Sequence, residues 1–538
     1  MSQDASISKG LQLGLNDKER KYDRQLRLWA ASGQAALESA NVLLVNSGPG
    51  TVGIEALKNL VLPGIGKFTI ADDAIVQDAD LGVNFFLEET CLGKSRALCC
   101  KNYLVELNPD VLGRCFPEED TCFDLEKLTA SSEPFTIILY TLPLEKDRAC
   151  FLETYAERQN IPLLSVHSVG YYSYFTLKLP EHLPIVDTHP NEDLAVDLRL
   201  LDPWSELSMF TSQLTKDIDA QSDHDHGHLP FVVILLYYLG KWKDAHGGDP
   251  PLTFSDKKAF RELVANGTRR NNSEGGEENF EEAVAAVMKH ITPSSLPTSL
   301  QQIFDYSSSV KASTKESFWI IAAAVKQFYQ KHQQLPLYGG IPDMKAESKT
   351  YIKLQSLYQT KAKKDAREVT SIVRTLKGGE DVAQTEVELF CKNAKFIKLV
   401  QNSVDAPTIN SIIDNELLKD EGLAEAGAEM LVSSILIYLA LSASTFISTD
   451  SAQDIADLVA SSVPRLSGNR GLFQIAQEII RSNGCEIHNT AALTGGMVSQ
   501  EMIKLITKQY VPIDNICIFD GIGSRCQVFR LNLGRQQF

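Results

Sequence analysis

The hydrophobic pattern divides the chain into two kinds of sequence. From Val42 to about Val166, apolar runs of strand length alternate with segments of helical period. This rhythm is typical of a parallel α/β sheet. The predicted strands are residues 42–45, 67–70, 135–139 and 162–166.

After Gly170 the pattern becomes mostly helical, and it stays so from about residue 191 to residue 483. Long segments of 3.6-residue period predict helices at residues 231–242, 280–290, 317–332, 350–376 and 430–447. The α/β pattern then returns with Gly495 and Gly496, a helix through Ile506 and a strand at 516–519. We therefore expect an α/β domain in two parts, residues 1–170 and 485–538, interrupted by a large helical insertion at residues 171–484.

Composition narrows the class of protein. A chain of 538 residues is too long for a single core. Its net charge of −17 argues against nucleic acid or an anionic membrane as the main partner. The polar N-terminal residues contain no apolar signal segment, which favours a cytoplasmic or nuclear protein. The ten cysteines show no C-x-x-C spacing, so neither disulfides nor structural zinc is expected. The serine-containing stretch 430–447 indicates a buried helix rather than a membrane span.

A glycine-rich loop follows the first predicted strand. Gly48, Gly50 and Gly53 have the G-x-G-x-x-G spacing of a nucleotide-binding turn, in which helix N–H groups meet a phosphate. Asp72, 19 positions after Gly53, has suitable spacing to bind a ribose. The same pattern also fits a dehydrogenase, or a strand-to-helix turn that binds nothing.

The segment before this loop suggests a more specific class. Residues 21–29 read KYDRQLRLW, and a hydride-transfer site requires no such element there. Together with the loop, this segment resembles the opening of the ubiquitin-activating enzyme family, whose relatives include the thiamine and molybdopterin adenylyltransferases. Further matches are residues 81–87, LPLYGGIPDMKAESKTYIKLQ at 335–355, FCKNAKF at 390–396 and EIHNTAALTGGMVSQEMIKLIT at 486–507. The chain is most similar to the regulatory, non-catalytic subunits of heterodimeric enzymes that activate Nedd/Rub-type ubiquitin-like modifiers.

The resemblance implies a Rossmann-like, ThiF-type adenylation fold whose nucleotide cleft is degenerate. In active members, an aspartate binds the ribose, an Asn-x-x-Arg motif and a lysine contact the phosphates, and a second aspartate helps to hold Mg²⁺. The ribose aspartate matches Asp72 and the lysine position matches Arg96. The asparagine and arginine positions hold Asp80 and Val83, and the Mg²⁺ position holds Leu142. The apolar side chains of Val83 and Leu142 cannot bind phosphate or metal.

The resemblance also implies a partner that performs the chemistry. Activating enzymes use a cysteine to accept the modifier, and the insertion contains only Cys391, which we interpret as structural rather than nucleophilic. The catalytic subunit would supply the ATP and Mg²⁺ site, the thiol and the domain that recruits a conjugating enzyme. Arg24 would reach the partner's ATP phosphates in trans; alternatively, it forms a structural salt bridge on an N-terminal helix.

Three functions remain open at this point. The favoured one is a required non-catalytic subunit of an obligate heterodimer that activates a Nedd/Rub-type modifier. The alternatives are a self-sufficient adenylyltransferase and a nucleotide-free interaction scaffold. Residues 223–228, DHDHGH, could bind a divalent cation, but we interpret them as a structural loop before Pro230 and expect no metal in this chain.

Overall fold

The computed structural model describes residues 17–118, 122–189, 197–271, 275–309, 317–400, 406–425, 433–447 and 449–532. These residues form two compact units. Unit 1 contains the described residues up to Leu183 and those after Leu399, and unit 2 is Pro184–Leu399.

Unit 1 is built on an eight-stranded mixed sheet. Its strands are β1 (Asn41–Val45), β2 (Lys67–Ala71), β3 (Leu112–Phe116), β4 (Ile137–Thr141), β5 (Leu163–Val169), β6 (Tyr172–Lys178), β9 (Ile516–Asp520) and β10 (Arg525–Phe529). Strands β7 (Leu183–Val186) and β8 (Ile397–Val400) form a separate pair. The spatial order in the large sheet is β10-β9-β6-β5-β4-β1-β2-β3. Strands β1 to β5 are parallel, as the sequence predicts for β1, β2, β4 and β5, although β3 was not among the predicted strands; β6, β9 and β10 are added antiparallel.

Unit 1 also contains α-helices, which lie before and between its strands along the chain. They are α1 (Asp17–Lys21), α2 (Asp23–Ser39), α3 (Thr51–Val61), α4 (Asp78–Leu81), α5 (Arg96–Leu107), α6 (Leu125–Ser131), α7 (Lys146–Gln159), α17 (Ile409–Glu425), α18 (Ile435–Ser444), α19 (Ala452–Ser462), α20 (Arg470–Ser482) and α21 (His488–Thr507). Helix α2 is interrupted at Trp29 and Ala30, where the backbone leaves helical geometry. The residues on each side of this kink are helical, so α2 consists of two helical segments whose axes differ in direction.

Unit 2 is mainly helical. It contains α8 (Ser205–Leu214), α9 (Asp223–Gly227), α10 (Phe231–Ala245), α11 (Phe254–Ala265), α12 (Glu278–His290), α13 (Thr298–Ser309), α14 (Ser317–His332), α15 (Ser348–Thr375) and α16 (Gln384–Lys392). Two clusters of buried side chains form its cores, one around α10, α11 and α12 and the other around α14 and α16. This agrees with the helical periodicity predicted for residues 231–376.

The observed units divide the chain differently from the expected 171–484 insertion. Strand β6 lies after the first expected boundary, yet it pairs with β5 through seven residues and belongs to the sheet. Helices α18 and α20 lie before the second expected boundary, yet they share a core with Tyr174 of β6 and Ile518 of β9. The sequence predicts helical structure in this region, and a helix at 430–447, but the 3.6-residue period does not reveal which core a helix joins.

Within the apolar stretch 430–447, residues 435–444 form the helix α18. Residues of α18 from Ile435 to Ala443 are all buried in the core that also contains Tyr174. Residues 430–432 lie outside the described part of the chain. None of the helices described has both the length and the apolar character needed to cross a bilayer.

Candidate nucleotide cleft

The candidate site lies where the parallel strand order reverses, between β1 and β4. In open α/β sheets, ligands bind at the carboxyl ends of the strands beside such a switch point. Here the two strand ends are joined by hydrogen bonds. The Ser47 N–H donates to Thr141 Oγ1 at 2.6 Å, and Ser47 Oγ donates to the Pro143 carbonyl, also at 2.6 Å. The crevice is therefore bridged by the chain itself.

The glycine loop has the geometry that its sequence predicts. Gly48 and Gly50 adopt left-handed φ angles of 61° and 66°, which glycine tolerates without strain. A Cβ on Gly53 would come within 2.8 Å of Asn46 Oδ1, so this glycine allows α3 to pack closely on the strand ends. All three glycines thus preserve the turn of a nucleotide-binding fold.

Asp72 is present at the end of β2, but its carboxylate is fully engaged. Oδ2 accepts hydrogen bonds from Arg96 Nε at 2.7 Å and from Asn46 Nδ2 at 2.9 Å. Oδ1 accepts from Arg96 Nη2 at 3.1 Å and from the Ala74 N–H at 3.0 Å. These four hydrogen bonds occupy the acceptor sites that the two oxygens of a carboxylate offer. With Asp72 only 1% exposed, no lone pair is left for a ribose hydroxyl.

Arg96 is held in place by several partners rather than free to bind phosphate. It is buried, and Nη1 also contacts Asp80 Oδ1 at 3.3 Å and the Pro49 carbonyl at 3.2 Å. Burial opposes the charged form, but the carboxylates of Asp72 and Asp80 outweigh it and raise the pKa of Arg96. Asp80, the residue at the lost asparagine position, therefore contributes a second anion to an internal ion-pair network.

The phosphate-binding end of α3 is occupied by Glu486. The Thr51 N–H donates to Glu486 Oε2 at 2.7 Å, and the Val52 N–H donates to the same oxygen at 3.3 Å. In a nucleotide site these first helical N–H groups would face a phosphate. A carboxylate from the C-terminal part of the chain takes the position of that anion. The role of Glu486 is not visible in the sequence, because the two residues whose N–H groups it accepts from lie more than 400 positions away.

Burial of Glu486 predicts a pH dependence of stability. Burial raises the pKa of Glu486 to about 7, above its ordinary value of 4.5, although N–H donors at Thr51 and Val52 partly oppose the shift. The folded state then binds more protons than the unfolded state, so this contribution to stability is complete below about pH 4.5 and is lost as the pH rises through 7.

Glu486→Gln should remove this dependence. Between pH 6 and pH 8 we expect the unfolding free energy of the native chain to fall by about 1 kcal/mol more than that of the variant. Urea titrations at both pH values provide the measurement. Other titrating groups, such as His167, are common to both proteins and cancel in the difference. Parallel pH profiles for the two proteins would show that Glu486 does not titrate in this range.

The two apolar positions in the cleft offer no ligand to phosphate or metal. Val83 is half-buried just after α4. Leu142 is half-buried and packs against core side chains of unit 1. Among the residues described, no group of three or more His, Cys, Asp or Glu side chains could hold a metal ion. The side chains present therefore do not fit a Mg²⁺–nucleotide complex.

Arg24 lies on the first part of α2 and is exposed. The preceding Tyr22 is 2% exposed, and its hydroxyl accepts a hydrogen bond from Asn108 Nδ2 at 3.0 Å. The predicted alternative, a structural salt bridge, is not seen, since no hydrogen bond or ion pair joins Arg24 to another described residue. Arg27, one turn later, pairs with Asp23 at 3.1 Å. Tyr22 thus fixes a helix from which Arg24 points into solvent.

Two candidates in unit 2 have structural roles. Cys391 is 2% exposed, and burial, with smaller effects from Asp365 and Glu388, raises the pKa of its thiol, as expected of a structural rather than a nucleophilic cysteine. The DHDHGH segment forms the short helix α9 and not the expected loop. Its His226 is buried, and His226 Nδ1 lies 2.7 Å from Glu277 Oε1. Serine capping at Ser222 explains why this polar segment is helical.

Comparison with known proteins finds matches that span almost the whole chain. Residues 22–537 match the model of the ThiF family. The chain is 35% identical over 547 residues to a NEDD8-activating enzyme E1 regulatory subunit of Xenopus laevis, covering 96% of this chain and 99% of the relative. It is 33% identical over 535 residues to the NEDD8-activating enzyme E1 regulatory subunit AXR1 of Arabidopsis thaliana, covering 96% and 97%.

Proposed function

Because the chain belongs to the ThiF family, and within it to the NEDD8-activating enzyme E1 regulatory subunits, we propose how it performs that role. It pairs with a catalytic subunit that holds ATP and Mg²⁺, scaffolds that subunit, and supplies Arg24 in trans to its ATP site. The partner adenylates the Nedd/Rub-type modifier, accepts it on a cysteine and presents it to a conjugating enzyme. Apart from Arg24, the chain contributes no group to the reaction.

The observation that carries this proposal is the filled cleft. The Asp72 carboxylate is taken up by Arg96, Asn46 and a backbone N–H, and the helix amides are taken up by Glu486. A self-sufficient adenylyltransferase needs these same groups free for ribose and phosphate. The filled cleft therefore favours a subunit whose chemistry takes place in another chain.

The face around Arg24 supports a role at an interface. Arg24 and Leu28 lie one helical turn apart, so their side chains share a face of α2. Leu28 is 46% exposed. Arginines are enriched at protein interfaces, and burying an exposed leucine beside one stabilises association. Placed against a partner's phosphates, a fixed guanidinium would offset the negative charge that accumulates as pyrophosphate leaves.

Co-expression with a catalytic subunit tests the proposal. We expect the two chains to elute as a one-to-one complex in size-exclusion chromatography, and the complex to form the modifier adenylate and the modifier thioester. An Asp23→Ala variant, which removes a neighbouring surface charge from the same helix, serves as a control that should leave the complex intact. If the two chains elute separately at micromolar concentration, the heterodimer proposal is wrong.

A further inference from the structure

Two cysteines meet at the antiparallel end of the large sheet. Cys517 lies on β9, and Cys526 lies on the edge strand β10. In the register of these strands, Cys526 faces Phe519 and Cys517 faces Val528, so the cysteines are diagonal neighbours. Since side chains two apart on a strand share a face, both sulfurs are on the same side of the sheet. Their Sγ atoms are 3.1 Å apart.

The two thiols differ in solvent access and in acidity. Cys526 is exposed, whereas Cys517 is 4% exposed. The hydrogen bond between the two thiols lowers the pKa of Cys526 to about 7 and, together with burial, raises that of Cys517. Met497 Sδ of α21 lies 3.8 Å from Cys526 Sγ. An accessible, acidic thiol beside a second sulfur is the arrangement found at oxidation-sensitive cysteines.

We propose that Cys526 and Cys517 form an oxidation site that hydrogen peroxide converts to a disulfide between β10 and β9. The Cys526 thiolate attacks one peroxide oxygen, the O–O bond breaks, and a sulfenic acid forms as hydroxide leaves and takes up a proton. The Cys517 sulfur then loses its proton and attacks the Cys526 sulfur. The S–O bond breaks, and water leaves. Overall, two thiols are oxidised to one disulfide while one peroxide is reduced to two waters.

The geometry favours this pair over the other cysteines described. Cys91 and Cys99 also adjoin, but both are buried, and burial raises the pKa of Cys99 to about 11. Cys150 is exposed on α7, but no sulfur contact is seen for it within the described residues. Peroxide can thus reach Cys526, whose sulfur is already in contact with a second thiol.

Mild peroxide treatment of the reduced full-length chain tests the proposal. After the remaining thiols are alkylated, intact mass spectrometry should show two fewer alkylated cysteines, and a non-reducing digest should yield a peptide that links Cys517 to Cys526. Cys526→Ser should abolish this product, and the matched control Cys150→Ser should retain it. Because Cys526 is exposed, its replacement should not disturb folding.

Trapping the intermediate provides a second test. In Cys517→Ser the sulfenic acid has no partner thiol, so dimedone should label Cys526 several-fold more than Cys150. The proposal is overturned if Cys517 and Cys526 both remain alkylatable at peroxide concentrations that oxidise Cys150. It is equally overturned if Cys517 becomes resistant to alkylation in Cys526→Ser as readily as in the native chain, or if dimedone labels Cys150 as strongly as Cys526.

Discussion

Arg24→Ala, assembled with the catalytic subunit, is expected to form the modifier adenylate roughly 100-fold more slowly than the native heterodimer, the usual effect of removing one preorganised charge from a transition state. The side chain is exposed and has no partner among the described residues, so its removal should not destabilise this chain. Single-turnover adenylate formation, measured with saturating ATP and modifier, reports the chemical step directly.

Arg27→Ala is the matched control for this prediction. It removes an arginine of the same helix that is also exposed but pairs with Asp23. We expect near-native adenylation from this variant and an unchanged elution volume for both heterodimers. If Arg24→Ala were fully active, the trans-acting arginine would be excluded and only the scaffold role would survive. Arg24→Lys should recover little activity, since an ammonium lacks the planar, forked geometry of a guanidinium.

Arg96→Met is expected to destabilise unit 1 by about 3–5 kcal/mol, because it leaves the buried Asp72 carboxylate without its main partner. The exposed Lys94, two positions earlier, provides the control, and Lys94→Ala should change stability by less than about 0.5 kcal/mol. Adding Asp72→Asn to Arg96→Met should restore part of the lost stability, since the unpaired charge is then absent.

Urea unfolding followed by circular dichroism measures these differences. The result also separates two interpretations of Arg96. If it were a free phosphate-binding cation, its replacement would leave stability nearly unchanged and would lower nucleotide affinity. If it belongs to a closed ion-pair network, stability falls and nucleotide affinity is not reduced.

The part of the fold around the glycine loop could be predicted from the sequence because its signals are local. A strand, three glycines at fixed spacing and Asp72 at the end of the next strand lie within residues 42–72. Each of these features follows from hydrophobic period or from the backbone freedom of glycine. The structure places Gly48, Gly50, Gly53 and Asp72 together at the switch point between β1 and β4.

The other features of the site and of the fold depend on long-range contacts, which the hydrophobic pattern of the sequence does not encode. Glu486 stands before the start of α21, and nothing in its neighbours indicates that it caps a helix beginning at Thr51. Arg96 was predicted as a cleft cation, but the sequence could not show that Asp72 and Asp80 both bind it. The region between residues 406 and 482 was predicted to be mostly helical, with one helix at 430–447, yet the assignment of its helices to unit 1 depends on packing against β6 and β9.

We propose that the cleft of this chain is closed by its own side chains and that adenylation takes place in a partner subunit. Modifier-dependent exchange of radiolabelled pyrophosphate into ATP tests it most directly, with the purified chain alone and with the heterodimer at equal concentration. We predict exchange by the heterodimer and no exchange above background by the chain alone. Robust exchange by the chain alone, abolished by Asp72→Ala, would instead show that this chain contains a working adenylation site of its own.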